Sequence, residues 1–262
     1  MDESSTVPEV LALLHASHDR LAAALDGISD EGARAQSYDD DWSVGQVASH
    51  LGSGAEIYHL WLDAGSRGTP APGAEAMQPI WDLWNAKDPT SQARDAVAAD
   101  SRLLERLDGL SDAEREAWHL ELFGEDRDLA NLLQLRLSEH AVHTWDIVVA
   151  SDPAATVSED AVRLVVDNLA VVARYTGQAH DQPVSVEVRT TRPERAFHLD
   201  LGPSGVELKP SYDDTEASAE LVLPAEAFVR LVYGRLDPDH TPATVTSTGV
   251  DLDSLRRTFP GV

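Results

Sequence analysis

Residues 127–150 read RDLANLLQLRLSEHAVHTWDIVVA, a stretch that predicts one long helix buried on nearly every side. Its apolar residues spread around the whole helical circumference, as in a core helix: Leu129, Leu132, Leu133, Leu135, Leu137, Ala141, Val142, Trp145, Ile147 and Val148. Arg136, Glu139, His143 and Asp146 nevertheless share one arc of about 80°. Because a buried charge is costly unless it is paired or bound to a metal, these four residues require partners.

Three other segments of the N-terminal half show helical periodicity. They are residues 7–25, residues 43–64, with Ser43 as a suitable N-cap, and residues 90–110. A loop rich in glycine and proline is predicted at residues 65–73. Together with the buried helix at 127–150, these helices predict a four-helix bundle.

The pattern changes after the bundle. Pro153 interrupts it, because proline disfavours helix in the residue before it. We therefore predict two domains, residues 1–152 and 153–262. A helix at 158–175 precedes short alternating stretches of the kind found in antiparallel strands: VSVEVRT (184–190), AFHLDL (196–201), GVELK (205–209) and ASAELVLP (217–224). Short helices at 225–233 and 252–259 surround one more strand at 243–247, which predicts a small α+β domain with an antiparallel sheet.

Composition limits the chemistry. The 262 residues contain 20 Lys and Arg against 46 Asp and Glu, a formal net charge of −26. Such a charge repels phosphate backbones and anionic membrane surfaces, so neither nucleic acid nor a membrane is an expected partner. The sequence has no cysteine, which excludes disulfides, thiolate metal ligands and a cysteine nucleophile. Any metal must bind His, Asp or Glu, and any sulfur chemistry needs a thiol from outside.

The sequence also predicts a soluble, cytoplasmic protein. The first 15 residues contain three acids and no basic segment, unlike a secretory signal. The apolar stretches are too short for the roughly 20 residues that span a bilayer. Composition leaves open whether the chain is a monomer or a homodimer.

Histidine and carboxylate pairs at helical spacing are not informative by themselves, because chance alone supplies about as many as the sequence contains. Helical phase separates them. The pairs at 15/19 and 59/63 oppose the apolar faces of their helices and are expected to face water, and the pair at 194/198 lies in a strand-like stretch. Glu139 and His143 lie on the buried helix.

His50 supplies a third candidate ligand. It lies within the apolar stripe of its helix, in phase with Val47 and Trp61, and is therefore expected to point inward. His50, Glu139 and His143 would form a two-histidine, one-carboxylate centre with open positions, as in catalytic zinc or non-haem iron sites. Asp146, one turn after His143, could orient a ligand by hydrogen bonding to it without binding the metal.

A metal-free alternative also fits the pattern. In it, the same side chains form a buried hydrogen-bonded network in which Arg136 bridges Glu139 and His50. Both interpretations stay open at this point.

The segments 39–62 (DDDWSVGQVASHLGSGAEIYHLWL) and 135–150 (LRLSEHAVHTWDIVVA) resemble the mycothiol-dependent maleylpyruvate isomerase family. This family is a branch of the DinB-like metal-binding helical bundles. The segment 219–238 (AELVLPAEAFVRLVYGRLDP) is similar to the second domain of that family, a sterol-carrier-like α+β module.

The resemblance implies specific roles. His50, Glu139 and His143 would be the metal ligands, Arg136 and Asp146 would support them, and Arg235 would be catalytic. Arg235 could instead stabilise the end of its helix through the dipole. The expected metal is Zn²⁺, with Fe²⁺ or Ni²⁺ as alternatives.

The resemblance further implies an actinobacterial enzyme that uses mycothiol as a thiol cosubstrate and acts on an electrophilic or unsaturated small molecule. It would be an isomerase or an S-transferase. The alternative from another class is a non-enzymatic, metal-containing protein that binds a small molecule or a lipid.

Overall fold

The computed structural model describes residues 5–39, 41–211 and 217–261. The chain divides into two compact units between Ala155 and Thr156, a few residues after the boundary predicted at 152/153. No helix in the described ranges combines the length and the apolar character needed to cross a membrane.

The first unit is mainly helical. Its elements, in chain order, are α1 (Val7–Leu25), α2 (Asp30–Arg34), α3 (Val44–Arg67), α4 (Ala74–Asn85), α5 (Pro89–Asp108), α6 (Asp112–Ala117), the hairpin β1 (His119–Leu122) and β2 (Glu125–Asp128), and α7 (Leu129–Val148). α3 packs along α5 and α1 along α7, and contacts of α1 with α5 and of α3 with α7 complete a ring. The apolar faces of these four long helices meet in a shared core. The DinB-like assignment of this unit stays a prediction.

Glycines on α3 allow large side chains to approach its backbone. A Cβ at Gly52 would lie 2.2 Å from the ring of Trp84, and one at Gly65 would lie 2.3 Å from the ring of Trp118. The Trp118 Nε1 donates a hydrogen bond to the Leu62 carbonyl at 3.0 Å. Two tryptophans from outside α3 therefore fix the position of this helix along its length.

The structure differs from the sequence prediction mainly in short elements. The segment 65–73 is only partly a loop, because α3 continues to Arg67 and ends at Gly68, whose φ of 62° is left-handed. Helices α2, α4 and α6 and the β1–β2 hairpin were not predicted. Helices α2 and α6 and the two strands have only four to six residues, so hydrophobic periodicity signals them weakly. α4 has 12 residues, but Pro79 in its interior disfavours a helix in the sequence.

The second unit combines helices with one sheet. Its elements are α8 (Glu159–Val165), a 3₁₀ turn (Val166–Asn168), α9 (Leu169–Thr176), β3 (Val184–Thr191), β4 (Arg195–Gly202), β5 (Gly205–Pro210), β6 (Ala219–Pro224), α10 (Ala225–Val232), β7 (Thr246–Thr248) and α11 (Leu252–Thr258). The strand order is β5-β4-β3-β6-β7. Phe197 of β4 contacts Phe228 of α10, with ring centroids 5.5 Å apart, so α10 covers the buried face of the sheet.

The predicted antiparallel sheet is present, but one of its strand pairs is parallel. β6 follows β5 in sequence but pairs with β3 in parallel, with Val188 opposite Leu221. The other pairs are antiparallel. Alternating side chains predict a strand but not its neighbour, so the crossover was not visible in the sequence. The helix predicted at 158–175 is interrupted by the 3₁₀ turn, and the strand predicted at 243–247 lies at Thr246–Thr248.

Candidate metal centre

His50 is placed by α3. A capping box begins this helix: the Ser43 Oγ accepts a hydrogen bond from the Gln46 backbone N–H, and the Gln46 side chain accepts one from the Ser43 N–H. Such a box satisfies two of the free N–H groups at a helix start. His50 lies two turns further on, directed toward α7 as its phase predicted.

Glu139 and His143 are one turn apart on α7. The His143 side chain is 9% exposed, whereas the Glu139 and His50 side chains are 42% and 38% exposed. The centre is therefore enclosed on the His143 side and accessible to a small molecule on the other.

The three predicted ligands converge. The Glu139 Oε2 lies 3.4 Å from the His50 Nε2 and 3.6 Å from the His143 Nε2. All three ligand atoms lie within 4.8 Å of one another, and among the described residues this is the one group of His, Asp and Glu side chains with such geometry. The two imidazole rings meet edge to face, with centroids 4.6 Å apart.

The two distances from the Glu139 carboxylate to the histidine nitrogens fit a bound cation. Charge-assisted hydrogen bonds between nitrogen and a carboxylate are usually about 2.7–2.9 Å long, shorter than both contacts of Glu139. Zinc ligands at about 2.0–2.2 Å in a tetrahedron are separated from one another by roughly 3.3–3.5 Å. Two imidazole nitrogens and one carboxylate oxygen are also the donor set of catalytic zinc sites. The arrangement can therefore hold a divalent ion with a coordination position to spare.

Asp146 and Trp42 surround the ligands. The fully buried Asp146 accepts a hydrogen bond from the His143 Nδ1 at 2.9 Å, which leaves the Nε2 facing Glu139. The Trp42 ring centroid lies 5.3 Å from that of His50 and 6.5 Å from that of His143. Trp42 thus forms a wall of the centre.

The ligands influence one another's protonation. Burial is the largest influence on His50 and lowers its pKa. Burial alone would also lower the pKa of His143, but the hydrogen bond to Asp146 and the nearby Glu139 carboxylate outweigh it and raise the pKa to about 9. Burial would raise the pKa of Glu139, yet the two histidines hold it well below its usual range. A cation entering the centre would displace the proton on His143.

Arg136 has other partners than the metal-free interpretation expected. Its Nη2 donates to the Asp100 Oδ1 at 2.8 Å and to the Leu51 carbonyl at 3.0 Å, so it does not act as the bridge between Glu139 and His50. The expectation that Arg136 supports the metal ligands stays a prediction.

Asp100 is a buried polar residue that the sequence reasoning missed. Its carboxylate accepts hydrogen bonds from Arg136, from the His140 Nε2 at 3.0 Å and from the His18 Nδ1 at 2.9 Å. Burial would raise its pKa, but the neighbouring cationic and imidazole groups hold the pKa of Asp100 well below the usual range. One signal could have revealed it: Asp100 lies in phase with the buried positions Ala96 and Leu103 of α5.

Arg235 lies in the second unit, after α10. Its side chain is buried, and its Nη1 donates to the Tyr233 carbonyl at 2.6 Å. Tyr233 is the C-cap residue of α10. The hydrogen bond therefore agrees with the alternative role of Arg235, in which it stabilises the C-terminal end of this helix. The catalytic role of Arg235 stays a prediction.

Comparison with known proteins identifies the family. A crystal structure of the mycothiol-dependent maleylpyruvate isomerase has the same fold, with a TM-score of 0.67 at 14% identity over 93% of each chain. A mutant of the mycothiol-dependent maleylpyruvate isomerase with one histidine replaced by alanine gives a TM-score of 0.68 at the same identity and coverage. No curated protein matches the sequence. A family model described as the mycothiol maleylpyruvate isomerase N-terminal domain matches residues 14–148, just over half of the chain, and the protein therefore belongs to this family.

Proposed function

We propose that the protein is a cytoplasmic, zinc-dependent enzyme that uses mycothiol. It would add the thiol to an electrophilic or unsaturated small molecule, either as a cis–trans isomerase of maleylpyruvate-like acids or as a mycothiol S-transferase. The observation that carries this proposal is the convergence of His50, Glu139 and His143 within 4.8 Å of one another, in a member of this family.

His50, Glu139 and His143 would hold the zinc ion. A bound dication with a free position supplies Lewis acidity, which keeps a coordinated thiol in its reactive thiolate form at neutral pH. The exposed faces of His50 and Glu139 leave room for that thiol. Because the chain has no cysteine, the sulfur must come from the cosubstrate.

Other residues would prepare the centre for that role. Asp146 fixes the orientation of His143 and directs its Nε2 toward the same point as the other ligands. Trp42 shields one side of the centre from water, which strengthens the electrostatic interactions inside it. Arg235 would bind a carboxylate of the substrate or the negative charge that develops on it.

Turnover tests this proposal. The zinc-loaded protein is mixed with mycothiol and maleylpyruvate, and the products are separated by liquid chromatography. We expect either the trans isomer or a thiol adduct, formed only when mycothiol is present. His143→Ala serves as the control and should form neither product.

A protein that binds zinc but converts no unsaturated or electrophilic acid with mycothiol or any other thiol would contradict the enzymatic proposal. That outcome would support the non-enzymatic, metal-containing binding protein instead.

A further inference from the structure

The Arg136 guanidinium connects α7 to α3 at the position of His50. Its Nη2 donates to the carbonyl of Leu51, the residue after His50. The guanidinium carbon lies 5.6 Å from the Tyr58 ring centroid, within cation–π range. A Cβ at Gly54 would lie 2.9 Å from the Arg136 Nη1. α3 therefore lacks a side chain at the point where the guanidinium enters.

A third long helix, α5, contacts the same guanidinium through Asp100. Its Oδ1 accepts from Arg136, and its Oδ2 accepts from His140 and from His18 of α1. Asp100 is 3% exposed, Arg136 is 2% exposed and His140 is fully buried. One carboxylate thus joins groups from α1, α5 and α7, and through Arg136 it reaches α3.

Stability alone does not explain such a network. Replacing a buried ion pair by apolar side chains is often neutral or stabilising, because removing two charges from water is costly. Defining one particular arrangement of helices is a role that buried polar groups do serve.

The network lies next to the metal ligands in both helices that supply them. Arg136 precedes Glu139 by one turn on α7, and His140 directly follows Glu139. Leu51 directly follows His50 on α3. The network therefore contacts the α3 backbone at Leu51 and contains two side chains of α7, Arg136 and His140, next to the two ligands that come from different helices.

We propose that Asp100 is a positioning residue for the metal centre. Together with Arg136 it forms a clamp, defined by Asp100, Arg136 and His140, that sets the spacing between His50 and Glu139. This inference rests on the metal site of the proposed function. It extends that proposal to a helix, α5, that contributes no ligand.

Zinc affinity tests the clamp. Asp100→Asn keeps the shape of the side chain but removes its charge, so it should loosen Arg136. We expect zinc affinity, measured by competition with a chromophoric chelator, to fall roughly 10–100-fold, as for other supporting residues of metal sites. We also expect the visible spectrum of bound Co²⁺ to change, because that spectrum reports ligand geometry.

Asp108→Asn is the matched control. Asp108 lies on the same helix and pairs with a histidine, His15, at 3.2 Å, but its side chain is 50% exposed. This variant should bind zinc like the wild type and give the same Co²⁺ spectrum.

Gly54→Ala changes the clamp from α3 and keeps the proposal testable if Asp100→Asn does not fold. The added methyl group would displace the guanidinium, whereas every charge is kept and alanine favours helix over glycine. We expect the same loss of zinc affinity.

Wild-type affinity and an unchanged Co²⁺ spectrum in Gly54→Ala and in folded Asp100→Asn would overturn the proposal, as would a wild type that binds no zinc. The two proposals fail in different measurements. Absence of products from a protein that binds zinc normally would contradict the proposed reaction, whereas unchanged zinc affinity in the variants would contradict the clamp.

Discussion

At the scale of single residues, the buried Asp146 carboxylate determines which nitrogen of His143 faces Glu139. It accepts a hydrogen bond from the His143 Nδ1, and such a partner also makes the imidazole a stronger ligand. Asp146→Asn should therefore lower zinc affinity about tenfold or more without removing a ligand. Competition with a chelator at neutral pH measures this effect.

The control for this prediction is another histidine and aspartate pair. The His119 Nδ1 lies 3.4 Å from Asp126, and both side chains are more than half exposed. Asp126→Asn should leave zinc affinity unchanged. Equal affinities of Asp146→Asn and wild type would show that Asp146 does not support His143.

His18 gives the fold a dependence on pH. Its hydrogen bond to Asp100 raises its pKa above the usual value, against burial, which lowers it. A group with a raised pKa binds its proton more tightly in the folded chain, so its contribution to stability is full below the unfolded pKa of about 6.5 and is lost as the pH rises through the folded pKa.

We therefore expect His18→Asn to lower the free energy of unfolding more at pH 5.5 than at pH 9, because the stabilisation from the raised pKa of His18 decreases as the pH rises. Urea unfolding of both proteins at the two pH values measures the difference. A loss of stability that is equal at both pH values, or larger at pH 9, would contradict the assignment.

Helical phase predicted from the sequence that His50, Glu139 and His143 face inward, because a polar residue on an apolar stripe is visible in one helix alone. It did not identify Asp100. The partners of Asp100 lie 36 residues away at Arg136 and 82 residues away at His18. The phase of α5 places Asp100 among buried positions, but pairing between distant helices leaves no local pattern, so its partners could be identified only in the structure.

At the scale of elements, the close contact between α3 and Trp84 makes Gly52 a sensitive position. A Cβ there would lie 2.2 Å from the rigid, buried indole ring. Gly52→Ala should lower the free energy of unfolding by about 1–3 kcal/mol through overpacking, despite the better helix propensity of alanine. Urea or thermal unfolding measures this loss.

Gly109→Ala provides the comparison. Gly109 is exposed at the end of α5, its φ is −71°, and the nearest atom to an added Cβ lies at 3.4 Å. This variant should be as stable as the wild type or slightly more stable. An unaffected Gly52→Ala would mean that Trp84 does not pack on α3 as the structure shows.

Long helices could be predicted from the sequence because their apolar stripes repeat over several turns. The predicted segment 7–25 has the same limits as α1 (Val7–Leu25), and the helix predicted at 127–150 is shortened only at its ends in α7 (Leu129–Val148). The hairpin at β1 and β2 was missed because β2 reads EDRD and shows no alternation. Elements of four to six residues give too few repeats for a period to appear.

At the scale of the whole molecule, composition constrained function more than fold. A net charge of −26 argued against nucleic acid and membranes as partners. The absence of cysteine left histidine and carboxylates as the possible metal ligands and required an external thiol for any sulfur chemistry. The parallel pairing of β3 with β6 had no counterpart in composition or periodicity, since strand order depends on the tertiary packing of the sheet.

The central claim is that His50 and His143, from two helices, bind one metal ion together with Glu139. Metal analysis of the purified protein by inductively coupled plasma mass spectrometry tests it most directly. We predict about one zinc ion per chain in the wild type, as a three-ligand site requires, and loss of that zinc in His50→Ala and in His143→Ala. A folded wild type that takes up no divalent metal, or a His50→Ala variant that keeps a full equivalent, would contradict the account.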